Sequence, residues 1–288
     1  MNSNKIVLVI GATGKQGGAV ARWLVADGFR VRALTRDPHS VKAHRLRAQG
    51  AEIAIGNLDD RMSLERAVSG VYGVFSVQNY WEPGVGYAGE IRQGKNLADA
   101  AKHAGVAHYV QSTMADAGSF RGVAHFESKA VVEHYIDQIG LPRTFIGTVY
   151  FMDNLLDPHM GGSMTFPVLS GALKPTTRFH MVAVDDIGAI VATVFQHPQQ
   201  FIGEKLNVAG DVLTVQQMKA VYHHVMGKRP RAYWIPAWML QVMNKEFAHQ
   251  LQWHNRVGWT FTPEHAQQVH PGLMSFEQFV RTHRPHGL

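Results

Sequence analysis

Short apolar runs of strand length alternate with helix-compatible stretches through the first half of the chain. The runs fall at 5–10, 30–35, 52–56, 72–77, 108–112 and 142–147. The intervening stretches near 17–27, 41–49, 61–69, 88–105 and 125–139 predict helices, several closed by a glycine (Gly28, Gly50, Gly70, Gly105, Gly140) that reads as chain punctuation. This alternation predicts an α/β fold with a parallel, doubly wound sheet. Ligands of such sheets bind beyond the carboxyl ends of the strands, so the loops starting at Arg36, Asn57, Gln78, Ser112 and Thr148 are expected to line one cleft.

After about residue 150 the alternation loosens. Asp185-Asp186 is expected to cap a helix of Ile187 to Phe195, Lys205 to Val208 reads as a short strand, and Thr214 caps a helix through Met226. Trp234 to Trp253 reads as one amphipathic helix rich in Met and aromatics. It suits ordinary core, a subunit contact in a homodimer, or the roof of an apolar pocket.

The first strand runs directly into Gly11-Ala12-Thr13-Gly14-Lys15-Gln16-Gly17, with a helix-compatible run, Ala19 to Val25, close behind. Glycine at 11 permits a tight turn, at 14 it lets backbone approach a pyrophosphate, and at 17 it lets the helix pack against the strand with its amides facing the anion. A glycine pattern alone is a weak signal, since similar turns join strands to helices with no ligand. Here a second strand returns about 20 residues on, as the dinucleotide fingerprint requires. The organisation expected is a Rossmann-type NADP(H)-binding domain over 1–157, with strand and helix contributions from later residues. A smaller α+β lobe over 158–288 would serve substrate or partner.

The end of the second strand bears on cofactor choice. A ribose 2′-hydroxyl is normally met there by a carboxylate and a 2′-phosphate by a cation, and the residue after Thr35 is Arg36. A planar guanidinium suits phosphate, and Lys42, Arg45 and Arg47 add positive field, so NADP(H) is favoured over NAD(H). Asp37 dissents, because a carboxylate there would suit a 2′-hydroxyl.

Composition narrows the class. The 288 residues are 45% hydrophobic and 17% charged, enough for an α/β core and an appended lobe. Zero cysteines exclude disulfides and thiolate metal sites. With no long apolar run and no basic leader, the expectation is a cytoplasmic protein with no membrane partner. A net charge of +6 raises nucleic acid as a partner, but no run of five Lys/Arg and no helix-turn-helix signal accompanies it. A multiply charged cofactor accounts for the excess equally well. The seventeen histidines are scattered, so positive charge is expected to climb below about pH 6.5. No metal site is expected, since His223-His224 and His249 with His254 lack an i,i+4 spacing and a third ligand.

Short-chain dehydrogenase chemistry uses a Tyr-x-x-x-Lys pair on a helix with a Ser at the end of the preceding strand. At that place stand His125-Phe126-Glu127-Ser128-Lys129, after Ser112-Thr113. Lysine is kept and tyrosine is not. The ammonium that favours a phenolate disfavours an imidazolium, so His125 is expected to be a poor acid for a nascent alkoxide. Lys129 retains a role in holding ribose hydroxyls. Lys129, His125 and Thr113 are the catalytic candidates.

Gly11 to Gly18, Thr35-Arg36, Asn79-Tyr80-Trp81-Glu82, Gln93-Gly94-Lys95, His125-Phe126 with Lys129, and Tyr150-Phe151 with Asn154-Leu155-Leu156 resemble the NmrA-like family, with the human NADPH-sensor branch as the nearest likeness. The resemblance implies an atypical short-chain dehydrogenase fold, whose members include redox-sensing regulators and reductases of quinones or dyes. It implies Arg36 at the 2′-phosphate, beside the cofactor contacts expected above from Gly11, Thr13, Gly14, Lys15, Gln16 and Gly17 and the positive field of Lys42. Asn57 and Leu58 would border the adenine, and Gln78, Asn79 and Tyr80 would lie along the cofactor. Lys95 and Lys129 would reach it, and Tyr150, Phe151 and Asn154 would stand near the nicotinamide. Asn57 departs from the Asp common in the family.

Two functions follow from these residues. One is an NADP(H)-binding redox sensor or regulator with a protein partner. The other is an NAD(P)H-dependent reductase of quinones, dyes or other electrophiles, with Trp81, Tyr87, Phe151, Met152, Trp234 and Trp238 forming an aromatic pocket.

Overall fold

The computed structural model describes residues 2, 4–117, 122–155, 165–230 and 237–283. In chain order the first elements are β1 (Ile6–Val9), α1 (Lys15–Ala26), β2 (Arg30–Thr35), α2 (Val41–Ala48), β3 (Glu52–Ile55), α3 (Arg61–Val68), β4 (Gly73–Ser76), α4 (Gly86–His103), β5 (His108–Met114), α5 (Ala124–Gln138) and β6 (Arg143–Thr148). Then come β7 (Tyr150–Phe151), a 3-10 turn (Met152–Leu155), α6 (Thr165–Ala172), β8 (Phe179–Val182), α7 (Val184–Gln196), α8 (Pro198–Phe201), β9 (Lys205–Val208) and β10 (Asp211–Leu213). Five helices follow β10: α9 (Val215–Met226), α10 (Ala237–Met243), α11 (Lys245–Arg256), α12 (Glu264–Val269) and α13 (Phe276–His283).

The main sheet has seven strands in the order β3-β2-β1-β4-β5-β6-β9. Its pairs β1–β2, β1–β4, β2–β3 and β4–β5 are parallel, with Val7 opposite both Val31 and Gly73. Because the chain winds outward from β1 in both directions, β1 and β4 flank a topological switch point, where such sheets bind ligands. This is the Rossmann-type fold the alternation predicted.

Strand periodicity sets the two faces. Leu8, Ile10, Val74 and Tyr109 pack with Leu64 and Ala67 of α3, Leu97 and Ala101 of α4, and Val132 and Ile136 of α5. On the other face α7 lies against α1 and the strands. A Cβ at Gly188 would come within 2.8 Å of Ala19, and one at Gly73 would come within 2.6 Å of the Phe195 ring. These two glycines allow the close layer spacing.

The chain divides into two compact units. The first comprises Met1–Ser119, His125–Gly147 and Ile187–Leu206, and the second comprises Phe120–Ala124, Thr148–Asp186 and Asn207–Leu288. The second holds a three-stranded sheet, β10-β8-β7, over a core of Phe166, Met181, Met218, Tyr222, Leu251 and Phe279. The Thr214 cap is present as a full capping box with Gln217.

Two expectations change. The helix assigned to Ile187–Phe195 begins earlier, at Val184, because Asp153 Oδ2 accepts the Val184 N–H at 2.8 Å and supplies the cap from outside the segment. The single helix over 234–253 is two helices, since Asn244 breaks it and accepts the Phe247 N–H at 3.0 Å to cap α11. Residues 231–236, Trp234 among them, lie outside the described residues. No described helix is long and apolar enough to cross a membrane.

Candidate functional site

The loop after β1 is built for close backbone approach. Gly11 takes φ +66°, and its carbonyl accepts the Gly14 N–H at 2.8 Å. A Cβ on Gly17 would overlap the Gly11 carbonyl and come within 2.6 Å of Ile10 O. Only hydrogen fits there. Gly14 is the N-cap of α1 and brings no side-chain cap, so no side chain closes that helix start. Thr13 is half-buried and Lys15 exposed. Gln16 is buried, its side chain bonded to Ser112 Oγ at 2.8 Å. The cradle thus fits a dinucleotide pyrophosphate.

At the end of β2 the structure separates Arg36 from Asp37. Asp37 Oδ1 accepts the His39 N–H at 2.9 Å, and the Asp37 carbonyl accepts from Ser40 Oγ, so this carboxylate is folded into its own turn. Arg36 projects outward and pairs with Glu82. Arg47 bonds the Pro38 carbonyl at 2.8 Å, and Lys42 is an exposed residue of α2. Asn57 Oδ1 accepts the Asp59 N–H at 3.1 Å, bracing the turn after β3, while the Leu58 carbonyl accepts from Asn96 Nδ2 at 3.0 Å.

At the end of β4, alongside β5, runs a buried amide chain. Gln111 Nε2 donates to Gln78 Oε1 at 3.0 Å, and Gln78 Nε2 donates to Ser76 Oγ at 2.9 Å. Gln111 Oε1 is buried with no hydrogen-bond partner. Asn79 is exposed and accepts the Trp81 N–H at 3.2 Å. Tyr80 and Trp81 lie on His125, with ring centroids 5.6 and 5.1 Å away, and Phe126 adds an edge contact at 4.6 Å.

The two helix positions named for proton transfer, His125 and Lys129, both lie on α5 in different surroundings. His125 is 5% exposed and sits among these rings. One turn on, Lys129 Nζ pairs at 2.7 Å with Glu90, a carboxylate of α4 that is fully buried and also accepts from Ser128 Oγ. Ser112 and Thr113 point to opposite sheet faces, as successive strand residues must. Ser112 meets Gln16, whereas Thr113 donates its hydroxyl to Glu133, which Lys205 holds at 2.9 Å. Burial pushes the Glu133 carboxyl up, against the pull of Lys205 and Thr113. The Thr113 hydroxyl proton, a catalytic candidate from sequence, is therefore engaged by a carboxylate.

Lys95 stands apart. Its ammonium lies 4.7 Å above the Tyr135 ring, whose hydroxyl bonds Asp99. Glu82 stood in the sequence only as part of the Asn79–Glu82 motif, and Glu90 and Glu133 were missed, because a single acid in a helix-compatible stretch reads as a solvated charge. Among the described residues no three His, Asp or Glu side chains converge as a metal site.

In the second unit, Tyr150 is buried against Phe179 at 5.1 Å, and burial pushes its phenol up. Phe151 is in register with Val182, and Asn154 lies in the 3-10 turn. Met152 is fully buried in that unit's core, and Trp238 is exposed on α10.

The model of the NmrA-like family matches residues 3–279. An NmrA-like family domain-containing oxidoreductase, hkm9, of Aspergillus hancockii is 31% identical over 258 residues, 82% of this chain and 77% of that one. Among solved structures, Citrobacter sp. triphenylmethane reductase complexed with NADP(H) superposes with a TM-score of 0.80 at 20% identity, covering 99% and 100% of the two chains. The negative transcriptional regulator Nmra in complex with NAD superposes with a TM-score of 0.77 at 22% identity over 97% and 95%. Through the family match along nearly its whole length, the chain belongs to the NmrA-like family.

Proposed function

We propose that this protein binds NADP(H) at the carboxyl edge of its seven-stranded sheet and acts as a redox sensor or regulator, signalling cofactor state to a protein partner. When bound, the cofactor supplies hydride chemistry. The chain's own residues then hold and orient it. Backbone amides of the Gly11–Gly17 loop face the pyrophosphate, Arg36 takes the 2′-phosphate with Lys42 adding field, and Asn57 and Leu58 border the adenine. Gln78, Asn79 and Tyr80 run along the cofactor, and Lys129 reaches the ribose. Structural neighbours hold NAD or NADP(H), which supports a nicotinamide dinucleotide.

The observation that carries the sensor reading is the state of the proton-transfer positions. His125 replaces the expected tyrosine and is enclosed by Tyr80, Trp81 and Phe126, while Lys129 is neutralised by buried Glu90. A site that binds cofactor without a ready proton donor favours signalling over turnover. Such a switch requires different affinities of two protein states for the oxidised and reduced cofactor.

A second reading is a reductase of quinones, dyes or other electrophilic acceptors, which take hydride without a strong acid at the site. It is supported by Trp81, which is 47% exposed beside His125 and offers a flat surface, and by the oxidoreductase names of relatives. The discriminating experiment is NADPH oxidation over a panel of quinones, triarylmethane dyes and enones, with calorimetry of NADPH and NADP+ on the same sample. Tight binding without turnover supports the sensor. Turnover on the order of 1 per second or faster would establish the reductase instead.

A further inference from the structure

Arg36 follows β2, and Glu82 lies 46 residues later on the loop after β4, yet their side chains meet in an ion pair. That loop is folded on itself. Glu82 N–H donates to Asn79 O at 3.1 Å, Val85 N–H to Glu82 O at 3.0 Å, and Gly86 N–H to Tyr80 O at 3.2 Å. Gly84 and Gly86 take φ of +83° and +52°, conformations that shape the turn. Its backbone therefore presents Glu82 to Arg36 from a defined position.

Resting on the assignment of Arg36 to the 2′-phosphate, we propose that Glu82 is a specificity-determining residue that competes with this phosphate for the Arg36 guanidinium. A phosphate monoester carries about −1.5 to −2 charge near neutral pH and three acceptor oxygens, against a single charge and two oxygens on Glu82. It is the stronger partner for the fork, and the two anions repel when both approach it. The Arg36 side chain is 65% exposed and that of Glu82 30%, so the pair is solvent-screened and readily exchanged. A cofactor with a bare 2′-hydroxyl brings no charge to displace Glu82 and leaves the pair closed. Glu82 thus lowers the affinity for NADP(H) while leaving NAD(H) alone, and it sets how far the cofactor's phosphate alone can discriminate.

The test is calorimetry of wild type, Glu82→Gln, Arg36→Ala and the double variant with NADPH, NADH, adenosine 2′,5′-bisphosphate and AMP. Glu82→Gln should bind NADPH and the bisphosphate about three- to tenfold tighter, leave NADH and AMP within about twofold, and lose that gain on the Arg36→Ala background. Unchanged or weaker NADPH binding in Glu82→Gln would overturn the competition, showing that Glu82 orients Arg36 or is a bystander. Equal losses of NADPH and NADH in Arg36→Ala would instead overturn the phosphate assignment on which it rests.

Discussion

The Lys129–Glu90 pair is the most exacting test of the site as built. Glu90 has no exposed surface, and apart from the Ser128 hydroxyl its charge is met by the Lys129 ammonium at 2.7 Å. Replacing Lys129 by Met leaves a carboxylate buried with one hydroxyl donor. Breaking a buried pair from one side costs about 3–5 kcal/mol, and the lower end applies because the lysine side chain keeps 15% exposure and admits water. Glu90→Gln keeps the shape and can still accept from Ser128, while its abandoned partner can reach solvent, so about 1–2 kcal/mol is expected. The double variant holds no unpaired charge and should cost far less than the sum, a coupling of about 2 kcal/mol. Urea unfolding followed by far-UV circular dichroism and by tryptophan emission measures this, provided that the two probes coincide. Costs adding to within about 0.5 kcal/mol would refute the view that Glu90 exists to hold Lys129. Cofactor binding gives a second readout: if Lys129 reaches the ribose, Lys129→Met should weaken NADPH and NADH alike.

Two further outcomes follow from the first unit. Gly17→Ala forces a methyl into the Gly11 carbonyl, backbone that cannot rotate away, so a loss of at least about 1–3 kcal/mol and about a hundredfold or more in NADPH affinity is expected by thermal unfolding and calorimetry. The fully buried His108 has its pKa lowered from 6.5 to about 4, chiefly by burial and further by Lys5. Its ring Nε2 is 2.8 Å from Thr144 Oγ1, whose hydroxyl donates to Phe201 O at 2.7 Å, so that ring nitrogen carries the proton. The neutral ring is the folded form, so its contribution is complete above pH 6.5 and lost as pH falls toward 4, about 3 kcal/mol in all. His108→Gln can keep the bond to Thr144 without titrating. Its stability difference from wild type should shrink between pH 6.5 and 4, and parallel curves would contradict the assignment.

The first unit was legible because its signals are local. A five-residue apolar run, a Gly-x-x-Gly-x-x-Gly turn and glycine stops each report on the residues that carry them, and β1 to β6 appear where those signals fall. The small sheet was not legible for the opposite reason. β7 has two residues and β10 three, too short for a period of two to show, and β10 pairs with β8 some 30 residues back. The break at Asn244 was hidden because the apolar pattern continues through it while the polar cap acts on backbone amides. Asp37 shows what local chemistry held unread. In Asp37-Pro38-His39-Ser40 the carboxylate two residues before a free N–H is an Asx-turn signal, and it removes Asp37 from the contest with Arg36. Glu90 had no such signal, since its burial comes from α4 packing against α5, where a Cβ on Gly94 would come within 2.7 Å of Val132.

Three cations of this unit are each matched by a carboxylate from a distant segment: Arg36 by Glu82, Lys129 by Glu90 and Lys205 by Glu133. The three pairs differ in what opening them costs. The Arg36–Glu82 pair lies in solvent and is worth about 0–1 kcal/mol, so it opens easily. The other two involve a buried carboxylate and are costly to separate. On the proposed assignment of Arg36 to the 2′-phosphate and Lys129 to the ribose, a dinucleotide would meet a compliant end at the first and a stiff one at the second, so discrimination by the 2′-phosphate would belong to the compliant end. On the sensor reading, a response to oxidation state would arise instead where the charge of the nicotinamide changes. That division makes the two questions separable by experiment. Substitutions at Glu82 should alter which cofactor is bound, whereas those at Glu90 and Lys129 should alter how firmly either is held.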